Sequence, residues 1–363
     1  MIWIWLGFIT LILALLALDL GVFHRKAHVV SVKEAMRWSA FWIALGLAFS
    51  VFVYFGYENH WLGLGSTIDA VDGTINHGAS ATAKYLTGYV VEKSLSIDNV
   101  FVIAMIFGFL AVPALYQHRV LFWGILGALI LRGLMIAVGA KLVAEFHWVL
   151  YLFGGFLILT AIKMLLITEH SDPSQNLVVR LTKQFFPITD KFHGEHFFVR
   201  AGSVWSHEAA TPDAAIEVDP AVARMETQRP GALMITPLFV GLLMVEFTDL
   251  VFAVDSIPAI FAITSDPFLV FTSNVFAILG LRSLYFALAG MIEKFRYLKI
   301  SLAAVLLLVG TKMLAASWLK DMLGANFNVY LLFAVLLILS LGVVASLIAD
   351  RLTLRVAAVR GTR

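Results

Sequence analysis

The sequence has no cysteine and few charged residues. None of its 363 residues is a cysteine, which excludes a disulfide framework, a thiolate metal site and soft metals such as Cu(I) that prefer thiolates. Charged residues make up only 14% of the chain, compared with about 25% in a soluble domain. The apolar runs also lack the alternation of membrane β-strands. These absences leave a helical protein with little surface suited to water.

Long apolar runs are the dominant feature of the chain. Hydrophobic residues make up 61% of it, and the mean hydropathy is +0.90. A bilayer core about 30 Å thick needs about 20 apolar residues per helix. The runs therefore predict an all-α integral membrane protein with about nine transmembrane helices, at residues 2–20, 38–57, 85–112, 120–142, 148–167, 232–263, 268–291, 301–319 and 329–349. The first run lacks a basic flank and a cleavage site, so we expect a retained helix.

The basic residues between these runs predict the orientation. The first loop, the central segment and the C-terminal tail are rich in Arg and Lys, whereas residues 60–83 contain neither. The positive-inside rule then places the N-terminus outside and the C-terminus in the cytoplasm.

The runs also divide the chain into five parts. We predict an N-terminal two-helix segment at 1–57, a three-helix unit at 82–167, a cytoplasmic loop at 168–231, a second three-helix unit at 232–319 and a C-terminal helix at 327–349. The part of the loop at 208–230 is rich in Ala, Pro, Asp and Glu, which is typical of a flexible tether.

The two three-helix units carry the same charged residues in the same order. The correspondence pairs Glu92 with Asp249, Asp98 with Asp255, Asn99 with Ser256, Arg132 with Arg282, and Lys163 with Lys312. Each unit has an odd number of spans, so the two would cross the membrane in opposite directions. We therefore predict two inverted three-helix repeats, an arrangement found in secondary transporters that bind substrate at the midplane.

Acidic side chains within apolar runs predict a cation or proton site. An ionised carboxylate there costs about 2.5–3.5 kcal/mol on insertion scales, and such residues are usually functional. Histidine is almost absent from the runs, and oxygen ligands alone suit hard divalent cations such as Mn²⁺, Mg²⁺ and Ca²⁺. The predicted metal-site residues are Glu92, Asp98, Asn99, Asp249, Asp255 and Ser256, with Asp19, Glu246 and Ser96 as additional candidates.

Discontinuous helices are expected at this site, as in other transporters built from inverted repeats. Pro258 follows Asp255 by three residues and cannot donate a backbone hydrogen bond to Val254. We therefore expect the second acidic helix to be interrupted there, which would free a carbonyl oxygen as a ligand.

Structural ion pairs are the alternative interpretation of these charges. Arg132 and Arg282 lie near the middle of their runs, so we expect each to pair with an acid of its own unit, in a structural or gating role. Lys163 and Lys312 lie nearer the helix ends, where their ammonium groups could reach the membrane surface. Two roles remain open for Asp19, which could contribute to the cation site or be a charged residue at the end of its helix.

Several strings resemble the TerC/Alx family of membrane proteins. They are EKSLSIDNVF at 92–101, FAVDSIPAIF at 252–261, SNVFAILGLRSLY at 273–285, and matching segments around Asp19 and within 185–200. The resemblance extends over nearly the whole chain, although 203–231 is longer than usual for the family. It implies a multi-pass protein of the bacterial inner membrane that handles manganese. Alx-like members are associated with Mn²⁺ export, and the family name comes from tellurium resistance. The acids of the family correspond to Glu92, Asp98, Asp249 and Asp255.

Two functions of different classes remain open. The first is a transporter that exports divalent cations, above all Mn²⁺, with proton exchange as an option, through a carboxylate site at the midplane. The second is a membrane scaffold or metallation partner in metal or tellurite stress, with the central loop as its docking surface. No nucleophile–base set or nucleotide loop is present, so we do not expect an enzyme. The expected partners are the transported cation and the lipid bilayer, with no permanent cofactor and no nucleic acid.

Overall fold

Helices form nearly all of the computed structural model. It describes residues 2–21, 30–166, 189, 192–200, 233–288, 297–315, 318–319 and 327–360, without the side chains of 20–21 and 351–360. The helices are α1 Ile2–Gly21, α2 Val32–Glu58, α3 Gly78–Phe109, α4 Ala114–Glu145, α5 Trp148–Leu166, α6 Pro237–Phe261, α7 Pro267–Ile278, α8 Leu281–Leu288, α9 Leu298–Leu314 and α10 Phe327–Arg360. Most of the predicted loop at 168–231 lies outside the described residues.

Seven described segments are long and apolar enough to cross a membrane, which confirms an all-α integral membrane protein. They are Ile2–Asp19, Val32–Glu58, Ala114–Glu145, Trp148–Leu166, Pro237–Phe261, Pro267–Leu288 and Phe327–Asp350. Helix α3 is 32 residues long but is not among these segments, because its four charged residues, Lys84, Glu92, Lys93 and Asp98, leave no 18-residue stretch with two or fewer charges. Helix α9 has only 17 residues. The count of nine spans therefore stays a prediction.

Two short antiparallel ribbons join helices outside these segments. Strand β1 (Ile68–Asp69) pairs with β2 (Thr74–Ile75) between α2 and α3. Strand β3 (Phe198–Arg200) pairs with β4 (Leu233–Ile235) directly before α6. The second ribbon brings together the described residues on either side of 201–232.

Polar residues begin several of the helices. The Ser31 side chain accepts a hydrogen bond from the Glu34 backbone N–H at the start of α2. Asp266 accepts from the N–H groups of Phe268 and Leu269 at the start of α7, where Pro267 occupies the first helical position. Such caps satisfy backbone donors that have no partner within the helix. Ser31 and Asp266 thus fix the residue at which α2 and α7 begin.

One membrane-crossing segment is broken at Gly280. Helix α7 ends before Leu279, α8 begins at Leu281, and Gly280 between them has a φ of +81°. A Cβ on Gly280 would lie 2.6 Å from the Cβ of Trp42, so both the backbone conformation and the packing require glycine.

The predicted interruption at Pro258 is wrong. Helix α6 continues through Pro258 to Phe261. Pro258 lies in the last turn of α6, where the loss of one backbone hydrogen bond leaves the rest of the helix intact. The discontinuous segment is instead the one that follows the second acidic helix.

Helix α3 lies at the centre of the bundle. It contacts α2, α6, α7 and α10, while α4 packs against α6 and α5 packs against α9. Helices α5 and α9 approach closely at Gly154 and Gly310, since a Cβ on Gly310 would lie 2.9 Å from the Gly154 carbonyl oxygen. This packing brings the charged stretches of α3, α4 and α6 together within the apolar bundle.

Candidate cation site

A cavity of about 240 Å³ lies among α3, α4, α5, α6 and α9. Five of the six predicted metal-site residues line it, namely Glu92, Asp98, Asn99, Asp255 and Ser256. Arg132 and Lys163 also line the cavity. The structure thus joins acidic residues of both three-helix units at one place.

Arg132 binds acids of both units at one side of this cavity. Its guanidinium donates hydrogen bonds to Glu92 Oε1, to Asp249 Oδ2 at 3.1 Å and to Asp249 Oδ1 at 2.8 Å. Arg132 is 2% exposed and Glu92 is fully buried. The ion pair with Glu92 confirms that Arg132 binds an acid of its own three-helix unit. The bidentate contact with Asp249 adds an acid of the other unit. Arg132 therefore links α3, α4 and α6.

Asp249 is the predicted metal-site residue that lies outside the lining of this cavity. Besides Arg132, its carboxylate accepts a hydrogen bond of 3.4 Å from the Asn99 amide. Together with Asn99, it borders a separate space of about 20 Å³. Glu92 and Asp249 are thus both bound to the guanidinium, as the structural interpretation of these acids anticipates.

Asp98 and Asp255 are the other two carboxylates at this site. The Thr160 hydroxyl donates to Asp255 Oδ1 at 3.3 Å. Lys163 interacts electrostatically with Asp255, and Lys299 interacts electrostatically with Asp98. All of these residues line the cavity. The two carboxylates thus face a cavity that Thr160, Lys163 and Lys299 also border.

Two buried oxygen atoms at the site accept no hydrogen bond within the described part of the chain. They are Glu92 Oε2 and Asn99 Oδ1. A buried polar group without a partner costs about 1–3 kcal/mol. A bound cation is one species that would satisfy such oxygens. The donor set, which comprises carboxylate, amide and hydroxyl oxygens, is the kind that hard divalent cations prefer.

A compact cluster of carboxylates is not formed in this conformation. Among the described residues, no three His, Asp or Glu side chains lie close enough together to hold a metal ion. A cation here would therefore have fewer than three carboxylate ligands. Its remaining ligands would come from neutral oxygens such as those of Asn99, Ser256 and Thr160, or from water.

The additional candidates of the sequence lie outside the cavity lining. The Ser96 hydroxyl donates to the Glu92 backbone carbonyl at 2.8 Å, so it satisfies its own helix. Glu246 lies against Gly127 of α4. Asp19 forms an ion pair of 2.7 Å with Arg282. This pair joins Arg282 to α1, which lies outside both three-helix units.

Two further lysines bind the carbonyl ends of helices. Lys312 is 2% exposed and donates to the Ala262 carbonyl at 2.8 Å. The expectation that Lys312 reaches the membrane surface is therefore wrong, because its ammonium packs inside the bundle beyond the end of α6. Lys93 donates to the Ala277 carbonyl at 3.0 Å, at the break after α7. Cations are favoured at helix C-termini by the helix dipole.

A polar network closes the opposite end of the bundle. Asp69 in β1 accepts from the Lys84 ammonium at 2.8 Å and from the Ser265 hydroxyl at 2.8 Å, and it also binds Thr264. Burial would raise the pKa of Asp69, but the charge of Lys84 and the donated hydrogen bonds outweigh it and hold that pKa well below its usual range. Asp69 therefore stays ionised and joins the β1–β2 ribbon to the α6–α7 loop.

Thr160 and Lys299 are the site residues that sequence reasoning missed. Thr160 is a neutral residue in an apolar run, and Lys299 stands among basic residues that look like an ordinary cytoplasmic loop. The sequence does place Thr160 three residues before Lys163, and this spacing puts both side chains on one helical face. That position could have identified Thr160 as a residue of the site.

Comparisons with known proteins agree on one family. Residues 77–353 match the family described as "Integral membrane protein TerC family". The chain is 45% identical over 349 residues to an uncharacterised membrane protein of Myxococcus xanthus, with 96% of this chain and 93% of the relative covered. No solved structure matches the chain.

Other relatives carry a more specific name. A protein of Photorhabdus laumondii, named as a proposed membrane-bound redox modulator, Alx, is 39% identical over 355 residues, with 97% of this chain and 94% of the relative covered. An Escherichia coli K12 protein of the same name is 40% identical over 328 residues, with 90% of each chain covered. The family match spans most of the sequence, and these relatives match it nearly from end to end. The chain belongs to the TerC family of integral membrane proteins.

Proposed function

We propose that this protein exports a divalent metal cation, above all Mn²⁺, through the cavity bordered by Asp98 and Asp255. One observation carries the proposal: oxygen-bearing side chains from both three-helix units line a single cavity among membrane helices. Among the residues that the structure describes, those that line the cavity include no histidine, and the chain contains no cysteine. Such a set of oxygen ligands favours hard cations such as Mn²⁺ over softer metals.

Reciprocal helix contacts support the inverted repeat that the proposal uses. Helix α3, the first helix of one unit, packs against α7, which belongs to the second span of the other unit. Conversely, α4, the second helix of the first unit, packs against α6, the first helix of the other unit. The third helices, α5 and α9, pack against each other. A two-fold relation between the units would produce this reciprocal set of contacts, and transporters with such repeats place substrate between them.

The location of the lysines supports an orientation of the cavity. Lys163 is in the last turn of α5, and Lys299 is in the first turn of α9. In the orientation predicted from the basic loops, both helix ends face the cytoplasm. The network around Asp69 and Lys84 would then close the outer side. This conformation would load a cation from the cytoplasm, as an exporter must.

The name of the Alx relatives raises a redox role. This chain has no cysteine and hence no thiol–disulfide couple of its own. We propose that any redox effect would follow from the cation content of the cell. The scaffold hypothesis depends on the loop at 168–231, most of which lies outside the described residues, and no observation on the described part favours it.

Cation flux into liposomes tests the proposal. Purified protein would be reconstituted, and uptake of Mn²⁺, Ca²⁺, Mg²⁺ and Zn²⁺ would be compared with and without a pH gradient. We expect Mn²⁺ flux in the unmodified protein and at least a tenfold loss in Asp255→Asn, because the substitution removes a carboxylate ligand but keeps the shape. Glu145→Gln is the matched control, since this acid is exposed at the end of α4. Equal Mn²⁺ flux in unmodified protein, in Asp255→Asn and in protein-free liposomes would refute the proposal.

A further inference from the structure

The cavity contains as many basic as acidic side chains. Its acidic lining residues are Glu92, Asp98 and Asp255, and its basic lining residues are Arg132, Lys163 and Lys299. By formal charge the lining is therefore neutral, and it carries one net negative charge when Asp249, which Arg132 also binds, is counted. A divalent cation that entered without any rearrangement would still leave at least one uncompensated positive charge in a space of about 240 Å³. Binding must therefore displace existing positive charge.

Arg132 is unsuited to such displacement. It is buried, and it binds Glu92 and both oxygens of Asp249. Moving it away would leave two buried carboxylates without a cationic partner, and removing one member of a buried ion pair is strongly destabilising. The planar guanidinium also fits the two-oxygen geometry of Asp249 closely.

The two lysines differ from Arg132 in position and in chemistry. Lys163 and Lys299 lie in end turns of α5 and α9 rather than at mid-helix. Each interacts with a carboxylate of the cavity, Lys163 with Asp255 and Lys299 with Asp98. A lysine has a flexible four-carbon stem, and near a helix end its ammonium can turn towards water. Their ammonium groups can therefore leave the cavity and be solvated by water.

We propose that Lys163 and Lys299 are tethered counter-ions, which a divalent cation must displace from Asp255 and Asp98 in order to bind. This inference rests on the proposed transport function. Two ammonium charges leave as two cation charges arrive, so the carboxylates are compensated in both forms. A monovalent ion would replace only half of the displaced charge. The lysines thus set the affinity of the site and favour divalent over monovalent cations.

Mn²⁺ binding to the purified full-length protein tests this inference. Free Mn²⁺ would be measured by electron paramagnetic resonance during titration with Mn²⁺ as the sole divalent ion. We expect Lys163→Gln and Lys299→Gln each to bind Mn²⁺ about tenfold more tightly, because a competing positive charge in the lining of the cavity is removed. Lys163→Arg should return the affinity towards that of the unmodified protein, because it keeps the charge. Lys141→Gln is the control, since Lys141 is 77% exposed in its side chain and lies at the far end of α4.

A second measurement needs no variant. Saturating Mn²⁺ should raise the labelling of Lys163 and Lys299 by an amine-reactive reagent, read by mass spectrometry, and leave the labelling of Lys141 unchanged. Gln variants that bind Mn²⁺ no more tightly than the unmodified protein, or labelling that does not respond to Mn²⁺, would overturn the role of the lysines while Mn²⁺ binding itself stands. Absence of Mn²⁺ binding by the unmodified protein would overturn the proposed function and this inference together.

Discussion

Removing Arg132 should strongly destabilise the protein, because two buried carboxylates share its guanidinium. The substitution Arg132→Met keeps much of the side-chain volume but leaves Glu92 and Asp249 buried without their shared partner. Glu92 is fully buried and Asp249 is 8% exposed. Loss of one member of a buried ion pair costs about 3–5 kcal/mol, and here two carboxylates lose the same partner. We therefore expect the unfolding free energy to fall by at least about 3 kcal/mol.

A combined variant separates this electrostatic effect from lost packing. Unfolding in sodium dodecyl sulfate, followed by tryptophan fluorescence, would give the free energy for Arg132→Met alone and with Glu92→Gln and Asp249→Asn. Because the combined variant carries no uncompensated charge at these positions, most of the lost stability should return. A loss below about 1 kcal/mol, the usual value for an exposed pair, or no recovery in the combined variant, would refute the reasoning.

Two further predictions concern the helix break and the outer network. Gly280→Ala should reduce the unfolding free energy by about 1–3 kcal/mol, because alanine is strained at this positive φ and its Cβ would strike Trp42. Gly108→Ala, where the space is open, should change it by less than about 0.5 kcal/mol, and equal effects would contradict the assignment. Asp69 has a lowered pKa, so its stabilising effect is present above the unfolded pKa of about 3.9 and is lost as the pH falls through the lower folded value. Unfolding measured from pH 6 to pH 2 should show the stability gap between the unmodified protein and Asp69→Asn narrowing below about pH 4, whereas a constant gap would exclude the linkage.

The helices could be predicted from the sequence because bilayer thickness and backbone hydrogen bonding leave few alternatives. Apolar runs of about 20 residues in a membrane protein form helices, and the runs at 38–57 and 148–167 fall on α2 and α5. The break at Gly280 could not be predicted in this way. A glycine inside an apolar run is ambiguous, and the requirement for it comes from Trp42, which is distant in the sequence.

The composition of the site was predictable, but its pairing was not. Carboxylates within apolar runs pointed to Glu92, Asp98 and Asp255, and these residues do line one cavity. The contact of Arg132 with Asp249 depends on how α4 packs against α6, which no local pattern specifies. Lys312 shows the same limit. Its position near a helix end suggested exposure, whereas the end of α6 and the ring of Phe327 cover its ammonium.

Mn²⁺ transport through this cavity can be tested by locating the ion in the protein, with anomalous X-ray scattering at the manganese absorption edge on crystals soaked with Mn²⁺. We expect one strong peak inside the cavity, within coordination distance of Asp98 or Asp255, and no such peak in crystals of Asp255→Asn. A peak elsewhere in the bundle, or no peak in the cavity at saturating Mn²⁺, would contradict it.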